Sequence, residues 1–474
     1  MGVVTFKSKL STLNLDDTFR VDYKYNSFLN DGGWNLFRSK SKNLVPLRDI
    51  LIPFYENFNF EDDIEYNGIP TGKDYIDQFG EIISTQTITK EEHPNRLKYK
   101  IDENCVLISS LKGARIPALS FDFDLSNYVF SNAFYVFKLN ENWSKKFILY
   151  LLRTEKVKNI IDNNIYRGIG ISAYKEDDLL KILIPNIDYN IQLDIVSQIQ
   201  PIETEITNLK NSKQKPLDII NRVFGEEFEI DLSIIKVLDE NRKFNVKLSS
   251  LFTDNSNLRS GIRWSKMQFI QKELYKNIDC IKILGHFIFK SNNGWSPLSV
   301  ENGEGTAILG QESFSFNGKL RIEPSKFTEE TKNNINDFYI NQGDFFVSRG
   351  NTVDLVALAC VVENEISEDI LYPDLFIKVL FDEKKINKQY LAFVFNSFFG
   401  RLYFKYVAKG KNQTMVKISA IELNNFHFPV PTFEKQTEIV EKIKTQIDSQ
   451  NLIDQLIEMK QQEINNIIEE AISV

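Results

Sequence analysis

Two stretches of the chain, 244 residues apart, carry nearly the same pattern. "IPNIDYNIQLDIVSQI" (Ile184–Ile199) and "FPVPTFEKQTEIVEKI" (Phe428–Ile443) align without a gap. Pro185 matches Pro429, Gln192 matches Gln436, Ile195-Val196 match Ile439-Val440, and Ile199 matches Ile443. Weaker matches precede them in the same order. "FRVDYKY" (Phe19–Tyr25) faces "IRWSKMQ" (Ile262–Gln268), and "LVPLRDIL" (Leu44–Leu51) faces "IKILGHFI" (Ile281–Ile288). "CVLISSL" (Cys105–Leu111) faces "DFFVSRG" (Asp344–Gly350), and "FILYLLRTEK" (Phe147–Lys156) faces "YLAFVFNSFF" (Tyr390–Phe399). Matches in constant order with slowly drifting offsets imply one unit of about 240 residues present twice. The fold must therefore be solved once and built twice.

Each copy divides in two. The first part is rich in β-branched and aromatic runs broken by Gly, Asn and Asp, such as "NAFYVFKL", "DFFVSRG" and "LFIKVLF". These read as strands, with helices expected over Lys145–Asp162 and Asn387–Val407. The second part is helical. In Asn190–Phe224, Ile195, Ile199, Ile202, Ile206 and Leu209 step by 4-3-4-3, a heptad seam that Pro201 and Pro216 are expected to kink. From Phe433 to Ala471 there is no Pro or Gly, and Ile439, Ile443, Ile453, Ile457, Ile464 and Ile467 recur at sums of 3 and 4. Such a helix would span about 58 Å.

Two arrangements suit these seams: ordinary core helices, or two heptad helices that pair with each other. The order globule–helix–globule–helix lets such a pair run antiparallel. The expected fold is α+β: two tandem α+β domains, 1–188 and 245–432, each followed by a long heptad helix, 189–224 and 433–474. An acidic linker, 225–244, joins them, and the helices pair as an antiparallel coiled coil.

Net charge is −8 and at first disfavours a nucleic-acid partner. Its location changes that reading. Residues 433–474 hold nine acidic against four basic side chains, and residues 225–241 hold six against one. The remainder is close to neutral, so local basic loops can meet phosphates. The three cysteines are far apart, which suggests reduced thiols and a cytoplasmic protein. The N-terminus has no apolar signal-like run, and no stretch reaches the roughly 18 apolar residues of a membrane span.

Two recognition-like globules, each closed by Pro-x6-Gln-x2-Ile-Val and a long helix, resemble the specificity subunit of type I restriction–modification systems. Pro185, Gln192, Ile195-Val196 and Pro429, Gln436, Ile439-Val440 carry the helix-start motif. "FRVDYKY" and "IRWSKMQ" resemble the segment before each recognition domain, and "GDFFVSRG" resembles its Gly-Asp strand and turn. "KGKNQTMVKISAIELNNFHFPVP" resembles the Gly…Gln segment before the last strand. The first copy departs at Ile187, where the second has Pro431, and has no counterpart of Gln413 near Gly168–Ser172. The resemblance implies a non-catalytic reader of double-stranded DNA with a bipartite target. Its helices would act as ruler and docking surface for two methyltransferase subunits. No cofactor would bind this chain; S-adenosylmethionine, ATP and Mg²⁺ would sit on the methyltransferase and restriction/translocase partners. Gln192, Ile195, Ile199, Ile202, Ile206, Gln436, Ile439, Ile443, Ile457 and Ile464 would form the coiled-coil and partner-binding set. Two other readings stand beside it: the same architecture with a fused methyltransferase–nuclease partner, or a coiled-coil adaptor that binds no DNA.

Enzyme motifs are missing from the sequence. There is no Asn-Pro-Pro-aromatic tetrapeptide and no phosphate-binding G-x4-G-K-[ST]; "GQESFSFNGKL" has the wrong spacing. His93, His286 and His427 share no ligand spacing. Asp374, Asp382 and Lys384 mimic a nuclease's carboxylate–lysine pattern, but the matching strand of the first copy lacks it. Base and phosphate contacts need Arg, Lys, Asn or Gln on loops. Four loops have that composition, at corresponding places in the two copies. They nominate Lys112 and Arg115, Arg167, Arg349 and Asn351, and Lys409, Lys411, Asn412 and Gln413. The plain alternative for each is a solvated turn.

Overall fold

The computed structural model describes residues 43–72, 74–77, 80–111, 118–160, 173–233, 240, 262–301, 303–412 and 415–473. The motif Phe19–Tyr25 and the candidates Lys112, Arg115, Arg167 and Gln413 lie outside them. The chain forms two compact units, Met1–Asn211 with Gln455–Val474, and Ser212–Asp454.

In the first unit the strand Leu44–Pro46 pairs antiparallel with Leu183–Pro185, so that Leu44 stands opposite Pro185. A four-stranded antiparallel sheet follows the order Leu51–Pro53, Phe134–Leu139, Val106–Ser109, Ala118–Leu119. A mixed five-stranded sheet contains Tyr66–Ile69 parallel to Tyr128–Ser131. Val106–Ser109 is buried along its whole length, as an unbroken apolar run between turn signals requires. Helices α1 (Lys145–Arg153), α2 (Glu155–Ile160), α3 (Glu176–Leu180) and α4 (Tyr189–Ser212) complete the series.

The second unit repeats this plan. It adds α5 (Pro216–Glu227), α6 (Ile262–Leu274), α7 (Lys388–Asn396), α8 (Phe398–Val407), α9 (Ala420–Asn424) and α10 (Phe433–Ser473). Ile281–Ile283 pairs with His427–Pro429, and Ile281 stands opposite Pro429 in the register of the first copy. The four-stranded sheet runs Ile288–Asn293, Phe376–Phe381, Phe345–Ser348, Ala359–Val361. The mixed sheets share their core pairing: Tyr66–Ile69 lies antiparallel to Gln86–Ile88 and parallel to Tyr128–Ser131, and Thr306–Ile308 lies antiparallel to Lys326–Thr328 and parallel to Ile370–Leu371. On the far side Leu97–Lys100 pairs with Tyr128–Ser131 as a strand, where the second copy has a single bridge between Tyr339 and Leu371.

Two expected helices are broken. Thr154 separates α1 from α2 and Ser397 separates α7 from α8, each with extended backbone. Thr154 Oγ1 donates to the Leu151 carbonyl at 2.8 Å, and Ser397 Oγ donates to the Val394 carbonyl at 2.8 Å. These hydroxyls compete with the helix ladder for its own acceptors. Gly400 permits the turn, because a Cβ there would lie 2.1 Å from the Phe395 carbonyl oxygen.

The expected helix 189–224 is two helices. Pro216 opens α5, where a missing N–H costs nothing, and Pro201 stays inside α4. In the first unit Ile195 and Ile199 of α4 share a core with Phe147, Leu151, Ile468 and Ile472. Lys460 pairs with Glu205 at 2.6 Å and Lys156 with Glu469 at 2.9 Å. In the second unit Ile219, Val223 and Phe224 of α5 share a core with Ile439, Val440, Ile443 and Ile447. Lys213–Asp454 at 2.5 Å, from the link just before α5, and Lys442–Glu226 at 2.7 Å and Lys435–Glu227 at 2.9 Å, from its last turn, step in opposite directions along the two segments. Within this unit the two helices therefore run antiparallel.

Candidate nucleic-acid interface

The buried strand Phe345–Ser348 delivers the chain to Arg349, Gly350 and Asn351. Gly350–Asn351 then pairs with Met415–Lys417, which pairs with Lys409–Asn412. This small sheet places Asn351, Lys409, Lys411 and Asn412 on its strands, with Arg349 immediately before the first of them. Gly410 allows the close approach, since a Cβ would lie 2.6 Å from the Met415 carbonyl oxygen.

The candidate side chains are held by neighbours that the sequence did not nominate for this interface. Arg349 Nη1 donates to the Asp374 carbonyl oxygen at 3.3 Å and reaches Asp374 Oδ2 at 3.5 Å. Asp374 in turn accepts from Ser296 Oγ at 2.7 Å. Gln311 Oε1 accepts from Ser348 Oγ at 2.9 Å and from Asn351 Nδ2 at 3.3 Å. Its Nε2 donates to the Leu375 carbonyl at 3.2 Å. Arg349 and Asn351 are thus preset, which lowers the entropy lost on meeting a ligand.

Lys409 is exposed, and its Nζ lies 2.6 Å from Oε1 of Glu422, a side chain only 4% exposed. Glu422 also accepts from the Ser419 N–H at 3.0 Å and from the Ser419 hydroxyl, closing a capping box on α9. Burial pushes the Glu422 carboxyl up. Lys409 and Ser419 outweigh that effect and hold it below the ordinary carboxylate range. The S-x-x-E spacing of Ser419 and Glu422 is a signal that sequence reasoning had available and missed.

The nuclease-like residues do not converge. Asp374 precedes the six-residue strand Phe376–Phe381 and Asp382 follows it, a separation of about 20 Å. Asp382 instead pairs with Lys385 at 3.0 Å. Among the described residues no group of His, Cys, Asp and Glu could hold a metal ion, and no helix is long and apolar enough to cross a membrane.

The helix-start motif has the same geometry twice. Gln192 and Gln436 are fully buried. Gln192 Oε1 accepts from the Ser144 N–H at 2.8 Å, and its Nε2 donates to the carbonyls of Ile187 at 2.8 Å and Asn142 at 3.3 Å. Gln436 Oε1 accepts from the Asn387 N–H at 2.9 Å, and its Nε2 donates to the carbonyls of Pro431 and Lys385, both at 3.0 Å. Each glutamine ties the start of a long helix to the start of α1 or α7. Ile195, Ile199, Ile202, Ile206, Ile439, Ile443 and Ile457 are also buried, and Ile464 partly so. The exposed apolar side chains of these helices are others: Ile191 and Leu193 on α4, and Leu452, Leu456 and Met459 on α10.

Three solved structures are similar to this chain. The first comes from a study of complex assembly and conformational transition of the type I R-M system, with 15% identity, 91% of this chain and 98% of that chain covered, and a TM-score of 0.43. The second is the HsdS subunit from Thermoanaerobacter tengcongensis, with 15% identity, coverage of 91% and 96%, and a TM-score of 0.34. The third is the type I restriction–modification S subunit from M. genitalium, with 11% identity, coverage of 91% and 96%, and a TM-score of 0.39. No family model and no curated protein matches the chain.

Proposed function

We propose that the chain is the DNA sequence-specificity subunit of a type I restriction–modification complex. The observation that carries this reading is the doubled unit, in which each copy is closed by the same strand pair and the same buried glutamine at the start of a long helix. Each copy reads one half of a bipartite target. The heptad helices pair antiparallel, set the spacing between half-sites, and offer their exposed apolar side chains to two methyltransferase subunits. This chain does no chemistry itself; S-adenosylmethionine, ATP and Mg²⁺ belong to the methyltransferase and restriction/translocase partners.

The decisive experiment compares adenine methylation across the host genome with and without this gene. A split motif of two short halves around a fixed spacer is expected to lose its methylation. Unchanged methylation in a host whose methyltransferase is active would sink the reading. At the level of one residue, Arg349→Ala is expected to relax one half-site by about 1–3 kcal/mol per base pair contacted and leave the other intact. Loss at both halves, measured by selection from a randomised duplex library, would refute independent readers.

A further inference from the structure

The two copies differ at one seam, where a packed joint in the second is a hollow in the first. In the second unit Asn396 is fully buried, and its Nδ2 donates to the Ala359 carbonyl at 2.9 Å and to the Phe316 carbonyl at 3.2 Å. The edge of Ala359–Val361 is covered as well: the Val361 N–H donates to the Gly318 carbonyl at 2.9 Å, and the Leu320 N–H donates to the Val361 carbonyl at 3.0 Å. Phe393 and Ile447 fill the space with apolar atoms.

In the first unit Arg153 occupies the place of Asn396. Its Nε donates to the corresponding carbonyl, that of Ala118, at 3.0 Å. Ser120 stands for Val361, Tyr150 for Phe393 and Glu203 for Ile447. These four side chains line a cavity of about 690 Å³. Tyr150 is 6% exposed and its hydroxyl stands beside the Glu203 carboxylate, whereas Ser120 Oγ has no hydrogen-bond partner among the described residues. An orphaned hydroxyl destabilises a fold, and the packed apolar seam of the second copy is not used here.

The lining indicates what would fill the space. Arg153 offers a planar fork of donors, and the Glu203 carboxylate offers only acceptors. Phe123, 45% exposed, and Tyr128 form an aromatic wall with ring centroids 5.4 Å apart. At the rim Lys145 is engaged by Asp122 at 2.6 Å and Glu81 by Lys210 at 2.7 Å. Glu203 stands beside Arg153 and the Tyr150 hydroxyl, Asp77 is also near Arg153, and Lys146 lines the same space. A flat heterocycle with one acceptor edge and one donor edge, carrying a negative group, suits the Arg153 fork, the Glu203 carboxylate, the aromatic wall and Lys146. Guanine has O6 and N7 as acceptors for an arginine fork, and its N1–H and N2–H₂ groups suit a carboxylate. We propose that the first unit holds a guanine-nucleotide pocket, with Arg153 and Glu203 reading the base and Lys146 meeting the phosphate. This inference does not depend on the restriction–modification reading.

The test is calorimetric titration of the full chain with GMP, with AMP and with a single-stranded trinucleotide containing one dG. GMP is expected to bind, and AMP to bind about tenfold more weakly or worse. Arg153→Asn and Glu203→Ile, which install the second copy's residues, are each expected to weaken GMP by about tenfold or more. Tyr150→Phe, which preserves packing, guards against misfolding as the cause and is expected to weaken GMP several-fold with an unchanged thermal midpoint of the free protein. If the trinucleotide displaces GMP, the natural source is a base within a strand; if it does not, the source is a free nucleotide. Absence of GMP binding at millimolar concentration, equal binding of AMP, or unaltered GMP affinity in Arg153→Asn and Glu203→Ile would overturn the proposal.

Discussion

Replacing Gln436 by leucine is expected to cost the protein about 2–4 kcal/mol of stability, a large effect for a change of nearly equal volume. The side chain is fully buried and makes three hydrogen bonds, one accepted from the Asn387 N–H and two donated to the Lys385 and Pro431 carbonyls. Leucine fills the space but leaves all three backbone groups without partners and out of reach of water. Gln192→Leu is expected to behave alike, because its three bonds go to the corresponding groups of the first copy. Gln436→Glu separates acceptor from donor. The new carboxylate keeps the bond from the Asn387 N–H but turns an oxygen toward two carbonyls. Burial and those carbonyls raise its folded pKa above the unfolded value. This variant is therefore expected to be least stable at neutral pH and to gain stability as pH falls through the raised pKa. Urea midpoints at two pH values check both claims. A loss below about 1 kcal/mol for both leucine variants would show that the glutamines do not anchor the helices.

That clamp was partly legible in the sequence. A glutamine recurring in an otherwise apolar helix start marks a position both copies need, but only the fold shows that its partners lie about 50 residues upstream. The heptad isoleucines were legible for the same reason: period and burial agree. The breaks at Thr154 and Ser397 were not. "LLRTEK" and "FNSFFG" keep a helical apolar pattern, and the interruption comes from one hydroxyl bonding one carbonyl. At the candidate interface, loop composition found Arg349 and Lys409 but not Asp374 or Glu422, which hold them. Carboxylates beside basic residues read as solvated charge until their burial is known. The cavity of the first unit was hidden by the repeat itself. Tyr150, Arg153 and Glu203 look like ordinary helix residues, and only superposing their roles on Phe393, Asn396 and Ile447 shows that polar groups have replaced a packed seam.

The largest expected effect concerns salt. Duplex DNA carrying the target is expected to bind about 10³- to 10⁵-fold more weakly at 200 mM than at 50 mM salt, as release of counterions from six to ten phosphate contacts requires. The sign of this dependence is informative because the chain is acidic, with a net charge of −8. Two effects oppose each other. Salt screens the repulsion between DNA and the acidic segments over a Debye length of about 10 Å at 0.1 M, which by itself would strengthen binding. Counterion release weakens it, and grows with every phosphate neutralised. Screening is bounded by a diffuse charge, whereas release multiplies contact by contact, so release wins if basic loops meet the backbone. A flat or rising affinity in a fluorescence-anisotropy titration would leave only diffuse repulsion and favour the coiled-coil adaptor. Lys409→Ala refines the test. Its ammonium already sits 2.6 Å from the Glu422 carboxylate, so a phosphate must compete with a buried, charged partner. The salt slope is then expected to drop by less than the roughly 0.9 that a free lysine contributes. Measured in a Glu422→Gln background, Lys409→Ala is expected to lower the slope by the full 0.9 or so of an unpaired lysine.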